Sequence, residues 1–175
     1  MSIIQYYENA CNVKSDINEH LPTLKRYASK CGHVTEMGVR SVVSTWALLA
    51  GNPKRMVSYD IKYHPNIDLA ISEASGIVDF EFKKEDVLKT EIEETDLLFI
   101  DTWHIFDQLS RELHLHASKV RKYIILHDTN TFWIRGENKK EGMKRAVEEF
   151  LLNHPEWKIK EVFENNNGLM IIDRI

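Results

Sequence analysis

The chain is poor in cysteine, with two in 175 residues, and has no excess of positive charge: 23 Lys and Arg stand against 27 Asp and Glu, a net charge of -4. Cys11 and Cys31 form no C-x-x-C and no zinc-type spacing, so a disulfide framework is excluded and a reducing compartment, the cytoplasm, is expected. The acidic balance argues against nonspecific binding to nucleic acid or anionic lipid. A long apolar run is also missing. The N-terminus, MSIIQYYENA, carries no basic region, and the longest apolar-rich stretch, Val42 to Ala50, is broken by Ser44 and Thr45. Both fall short of a signal peptide or of the roughly 20 residues of a membrane span. What is present is 43% hydrophobic residues, 10% aromatics and eight histidines. A chain of this length buries about 70% of its unfolded surface, enough for one soluble globular domain over 1–175.

Apolar spacing predicts two helices within residues 1–31, with Ile3, Tyr6, Tyr7 and Ala10 on one and Leu21, Leu24, Tyr27 and Ala28 on the other. Strands and helices then alternate: a strand at 33–37, a helix at 42–51 closed by Gly51-Asn52-Pro53, a strand at 56–60, a helix at 66–75 closed by Gly76, and a strand at 77–82. Asp96 to Asp101, with its LLFI centre, reads as a strand buried on both faces. A helix at 105–118 and a strand containing YIIL follow. Residues 133–140 read as a mobile loop, which Trp133 and Arg135 place to cover a substrate. Met143, Ala146, Val147, Phe150 and Leu151 form one helical face, and strands at 157–163 and 168–173 join through an Asn-Gly reversal. Such alternation demands an α/β fold with a mostly parallel sheet, whose ligands bind beyond the carboxyl ends of the strands.

Each of those ends carries an acid: Glu36, Asp60, Asp86, Asp101 and Asp128. Gly38 permits a tight turn after the first strand, although no G-x-G-x-x-G follows it. Asp60, 22 residues after Gly38, stands where a carboxylate can accept from both hydroxyls of a ribose, and Asp86 could accept from an adenine amino group. Asp101 follows a buried strand directly, and an acid there needs a cleft, a hydrogen bond or a cation. His104, three residues on, can face the same cleft and take a proton near neutral pH. Asp128 ends the neighbouring strand, and adjacent strand ends lie about 5 Å apart. Two carboxylates suit Mg²⁺, and His127 as a further ligand would shift the preference toward Mn²⁺. His114 and His116 fall on a polar helix face, where solvation is expected.

These residues resemble the class I S-adenosylmethionine-dependent methyltransferases, in particular the metal-dependent O-methyltransferases of sugars and small hydroxylated compounds. The resemblance spans about 33–173 and rests on EMGVRSVVST, SYDI, DLLFIDTWH, YIILHDT and EGMKRAVEEFL…NNNGLMIID. The last three are similar to the cephalosporin-hydroxylase-like and macrolide-sugar methyltransferase branch, which occurs alone and beside glycosyltransferases. The resemblance implies a Rossmann-like, doubly wound, seven-stranded sheet with an antiparallel C-terminal strand pair. It also implies S-adenosylmethionine and a divalent metal as cofactors, and a small-molecule or glycan hydroxyl as acceptor. By the same resemblance Glu36, Gly38 and Ser44 would line the methionine part of the cofactor, Asp60 its ribose and Asp86 its adenine. Asp101 and Asp128 would hold the metal, with Asp101 also facing the cofactor, and His104 would be the general base. The third ligand would be His127, Thr129 or water. Where the family has a second glycine, this chain has Val42.

Two other readings share this scaffold. An NAD-dependent oxidoreductase also uses a glycine turn and an acid at the second strand end, but the later glycines and a Tyr-x-x-x-Lys pair are missing. A catalytically degenerate binding module is favoured by Val42 and opposed by the retention of Asp101, His104 and Asp128.

Overall fold

The computed structural model describes residues 1–175. Seven strands form one sheet: β1 (His33–Met37), β2 (Arg55–Asp60), β3 (Asp79–Lys84), β4 (Thr95–Ile100), β5 (Val120–His127), β6 (Trp157–Phe163) and β7 (Leu169–Arg174). Their spatial order is β3-β2-β1-β4-β5-β7-β6. Strands β1 to β5 are parallel, and β7 runs antiparallel between β5 and β6. This is the expected doubly wound, Rossmann-like sheet. The strand order reverses between β1 and β4, which opens a crevice at their carboxyl ends.

Six helices cover the sheet: α1 (Ile3–Asn12), α2 (Leu21–Ala28), α3 (Val43–Ala50), α4 (Asn66–Ala74), α5 (Phe106–His116) and α6 (Lys144–Asn153). The first begins at a capping box, in which Ser2 and Gln5 satisfy each other's backbone N–H groups. Side-chain alternation along β4 divides the core. Leu97 and Phe99 pack with α1 to α4 on one face, whereas Leu98 and Ile100 pack with α5 and α6 on the other. All six residues of β4 are buried, as a central strand requires.

Two details differ from what the sequence led us to expect. The third strand starts at Asp79 rather than 77, because Ile77, 62% exposed, belongs to the turn after α4. The loop at 133–140 is also tied down. Arg135 bridges Glu141, Gly136 N–H donates to the Lys140 carbonyl, and Gly142 N–H donates to that of Ile134. Trp133 packs against the α5–α6 core and Arg135 is exposed, so neither covers the cleft.

Candidate active site

A cleft of about 800 Å³ lies over the carboxyl ends of β1 to β5, bounded by Gly38, Asp60, Asp86, Asp101, Thr102, His104 and Asp128 among others. Its size suits a cofactor or small ligand. The β1–α3 turn forms its floor. Gly38 has φ +88, and a Cβ there would overlap the carbonyl oxygen of Asp101. The glycine is therefore required for the approach of β1 to β4, besides any approach of a ligand. Arg40 and Val42 also take positive φ, 47 and 75, so Val42 keeps a left-handed backbone without being glycine. That conformation is costly for a β-branched residue, and the full burial of Val42 in the core holds it.

Glu36 and Ser44 take a different role from the expected one. Glu36 is wholly buried beneath the turn and accepts hydrogen bonds from Ser44 Oγ (2.6 Å), Thr45 Oγ1 (2.8 Å) and Ser58 Oγ (2.6 Å). It pins the start of α3 to β1 and β2, and neither it nor Ser44 lies in the cleft wall. Burial pushes Glu36 up to about 7, although the three hydroxyls favour its ionised form. A carboxyl raised in the folded state binds an extra proton there, so its contribution to stability is lost as pH rises from its ordinary value near 4.5 through about 7. Relative to Glu36→Gln, the wild-type unfolding free energy should fall by about 3 kcal/mol across that interval. Urea melts at a series of pH values measure this, and parallel curves for the two proteins would refute it.

Asp60 does reach the cleft, yet its oxygens already accept from the backbone N–H groups of Val39 (2.8 Å), Arg40 (3.0 Å) and Lys62 (2.8 Å). These bonds shape the turn and leave lone pairs for a ligand. Asp86 lines the cleft as well, and the Leu88 N–H and Lys89 hold it below the usual carboxylate range.

Asp101, His104 and Asp128 come together as anticipated, their ligand atoms all within 4.8 Å of one another. His104 Nε2 lies 3.1 Å from Asp101 Oδ1 and 3.2 Å from Asp128 Oδ2. Its Nδ1 is 2.9 Å from Glu137 Oε1, which also accepts from the His104 backbone N–H, and Phe132 stacks on the ring at 5.1 Å. Burial alone would lower His104, but the Asp101 hydrogen bond and the charges of Asp101 and Asp128, helped by Glu137, push it up to about 9. Burial would likewise raise Asp101, but hydrogen bonds from His104 and His127 hold it well below the usual range. Asp128 is raised by burial, and its Oδ1 is a buried atom without a hydrogen-bond partner.

His127, named from the sequence as a metal ligand, stands behind this cluster. Its Nδ1 meets Asp101 Oδ1 at 3.2 Å and its Nε2 meets the Asp16 carbonyl at 3.1 Å, so both ring nitrogens are spent on protein oxygens. It is 1% exposed and outside the cleft wall, which makes it a support for Asp101 rather than a ligand. Thr129 is also outside the wall and packs toward Gly168. His116 is buried, its Nε2 hydrogen-bonded to the Val87 carbonyl, and is not solvated as its helix position implied. Sequence spacing missed Glu137 and Glu112. Glu112 lies on α5 and is fully buried beneath Thr102 and Gln108. An acid in line with Leu109 and Leu113 at helical spacing was the available signal for it.

No family model and no curated protein matches the sequence. Solved structures do resemble the chain. It superposes on the 1,6-didemethyltoxoflavin N1-methyltransferase of Burkholderia thailandensis with a TM-score of 0.70 and 12% identity, over 93% of this chain and 79% of that one. The N-methyltransferase NodS of Bradyrhizobium japonicum WM9 gives 0.66 and 14% over 99% of each chain. The Podospora anserina methyltransferase PaMTH1 gives 0.62 and 15% over 99% of this chain and 87% of that one. All three are described with S-adenosylhomocysteine bound. At these identities the likeness is one of architecture, and the fold of this chain is the one those methyltransferases share.

Proposed function

We propose that the protein is an S-adenosylmethionine-dependent, divalent-metal-dependent O-methyltransferase whose acceptor is a hydroxyl of a sugar or glycan. The observation that carries this reading is the Asp101–His104–Asp128 cluster at the end of the cleft, with Asp128 Oδ1 buried and unpartnered. Two carboxylates and one imidazole are a donor set that fits Mg²⁺ or Mn²⁺. Asp101 and Asp128 would hold the ion, within reach of His104. Bound there, it would supply the Lewis acidity that lowers the pKa of an acceptor hydroxyl.

The chain's own groups do the rest. Asp60 offers lone pairs to ribose hydroxyls and Asp86 to an adenine amino group. Gly38 and Arg40, which line the cleft, would stand at the methionine end in place of the buried Glu36 and Ser44. Asp101 and Asp128 hold a proton on His104 Nε2. A cation on those two carboxylates would oppose that proton, and with Glu137 accepting from Nδ1–H and Phe132 fixing the ring plane, Nε2 would be the atom freed to take the acceptor's proton. Transfer of a methyl from a sulfonium then needs mainly alignment, which a rigid strand-end site provides. The wall carries Asp60, Glu85, Asp86, Asp101, Asp128 and Glu137 against Arg40 and Lys62, a charge balance that favours a neutral acceptor such as a vicinal diol over an anionic one.

Calorimetry with S-adenosylmethionine, S-adenosylhomocysteine and NAD, each with Mg²⁺, Mn²⁺ or EDTA, tests the reading. Binding of the first two is expected, with acceptor methylation that EDTA removes. Tight NAD binding without response to the methyl donor would end the proposal.

A further inference from the structure

Trp103 takes no part in the chemistry above, yet it lines the cleft between Thr102 and His104. The other tryptophans are packed away: Trp46 stacks on Tyr6, Trp157 is buried beside Phe150, and Trp133 lies against the α5–α6 core. Trp103 belongs to neither half of the core and is 37% exposed. Its backbone is nevertheless fixed. The Trp103 carbonyl accepts from Ile105 N–H at 2.8 Å, and the next residue, His104, is tied to Glu137 through both its N–H and its carbonyl. Lys140 Nζ sits over the indole, 4.4 Å from the ring centre. Lys140 is not part of the cleft wall, so it backs the ring from outside and leaves an aromatic surface open toward the cleft.

A ligand ring that fits this surroundings must offer apolar C–H groups on a face and hydroxyls around its edge. The indole face is electron-rich and attracts polarised C–H groups, whereas ionised carboxylates only accept, here from O–H donors. A hydroxyl pair at Asp101 and Asp128 does not exhaust those acceptors. Glu137 spends Oε1 on His104 and keeps Oε2, in the same wall, for a further hydroxyl. A pyranose supplies the face, the pair and the further hydroxyl; a catechol has the face and the pair alone. We infer that Trp103 is the acceptor platform, its indole stacking on the C–H face of a pyranose whose edge hydroxyls meet the Asp101, Asp128 and Glu137 end of the cleft, which selects glycosides over catechols. The inference deepens the acceptor reading given above and rests on it.

Saturation-transfer NMR on the protein loaded with S-adenosylhomocysteine and Mg²⁺ reads the contact directly, with methyl β-D-galactopyranoside, methyl α-L-rhamnopyranoside and catechol as probes. The C–H protons on one face of a bound glycoside should receive the most saturation. In the ¹⁵N-labelled protein the Trp103 indole N–H, identified as the signal missing from Trp103→Leu, should shift as the glycoside is added, and the indole signals of Trp46 and Trp157 should not. Trp103→Leu should weaken glycoside binding about 3- to 10-fold and Trp103→Phe, which keeps a ring, by no more than about threefold. Affinity for S-adenosylhomocysteine should stay at the wild-type value in both variants. A purely structural role for Trp103 would instead weaken glycoside and S-adenosylhomocysteine alike, with no rescue by Phe. Binding of neither glycoside, preference for catechol over both, or equal glycoside binding by wild type and Trp103→Leu would overturn the inference while leaving the donor reading intact. Failure of S-adenosylhomocysteine to bind the wild type would bring down both.

Discussion

Asp128→Asn should remove metal-stimulated methyl transfer while leaving S-adenosylhomocysteine affinity nearly unchanged. The substitution isolates charge from shape. Asp128 adopts φ +60, a conformation that Asn tolerates and Ala does not, so the amide keeps the backbone and the volume. It loses the anionic charge, and Oδ1 is the one buried atom of the cluster with no hydrogen-bond partner, His127 Nδ1 standing 3.7 Å away. Loss of even an outer-shell partner costs about 10- to 100-fold in metal affinity, so loss of a ligand should cost at least that much. Initial rates titrated with Mn²⁺ measure the shift in half-activating concentration. A variant activated at the wild-type concentration would take the metal out of Asp128's hands.

Gly38→Ala should cost about 2–5 kcal/mol of stability, from left-handed backbone strain and overpacking together. The added methyl would overlap the Asp101 carbonyl, which is backbone and cannot rotate away. The loop is further fixed by the bond from Gly38 N–H to the Tyr59 carbonyl, 2.9 Å. Gly76 supplies the control: it has φ +76, but nothing lies within 4 Å of where a methyl would sit, so Gly76→Ala should cost only about 1–2 kcal/mol of backbone strain. In a chain of this size each kcal/mol lowers the melting temperature by about 2–4 °C, which separates the two variants readily. Equal melting temperatures for both would mean that β1 does not approach β4 as closely as described.

The two substitutions converge on one place, and how much of it the sequence disclosed differs residue by residue. Asp101 and Asp128 were legible because each directly follows an apolar strand, and parallel strands deliver their carboxyl ends to one edge. His104 was legible from its spacing to Asp101. Glu36 had the same strand-end signature and ended differently, because it points to the helix-covered side of β1, where Ser44, Thr45 and Ser58 satisfy it. His127 is the last residue of β5 and stays buried behind Asp101, whereas Asp128 lies past the strand end with φ +60, and that turn brings its carboxylate to His104 at the cleft.

Composition and periodicity alone determined the order of strands and helices, the sheet class, and the edge at which acids gather, since burial of apolar faces enforces a period of 2 or 3.6 along the chain. The pairing of His104 with Glu137, 33 positions away, and of Asp101 with His127, 26 positions away, was decided by the tertiary structure. So was the place of the N-terminal segment, whose Asp16 reaches both His127 and Arg40. These contacts depend on which strands become neighbours and how a loop folds back over them. Local hydrophobic pattern carries no record of either, because many chain paths bury the same apolar faces and only one brings these particular polar groups within hydrogen-bonding reach.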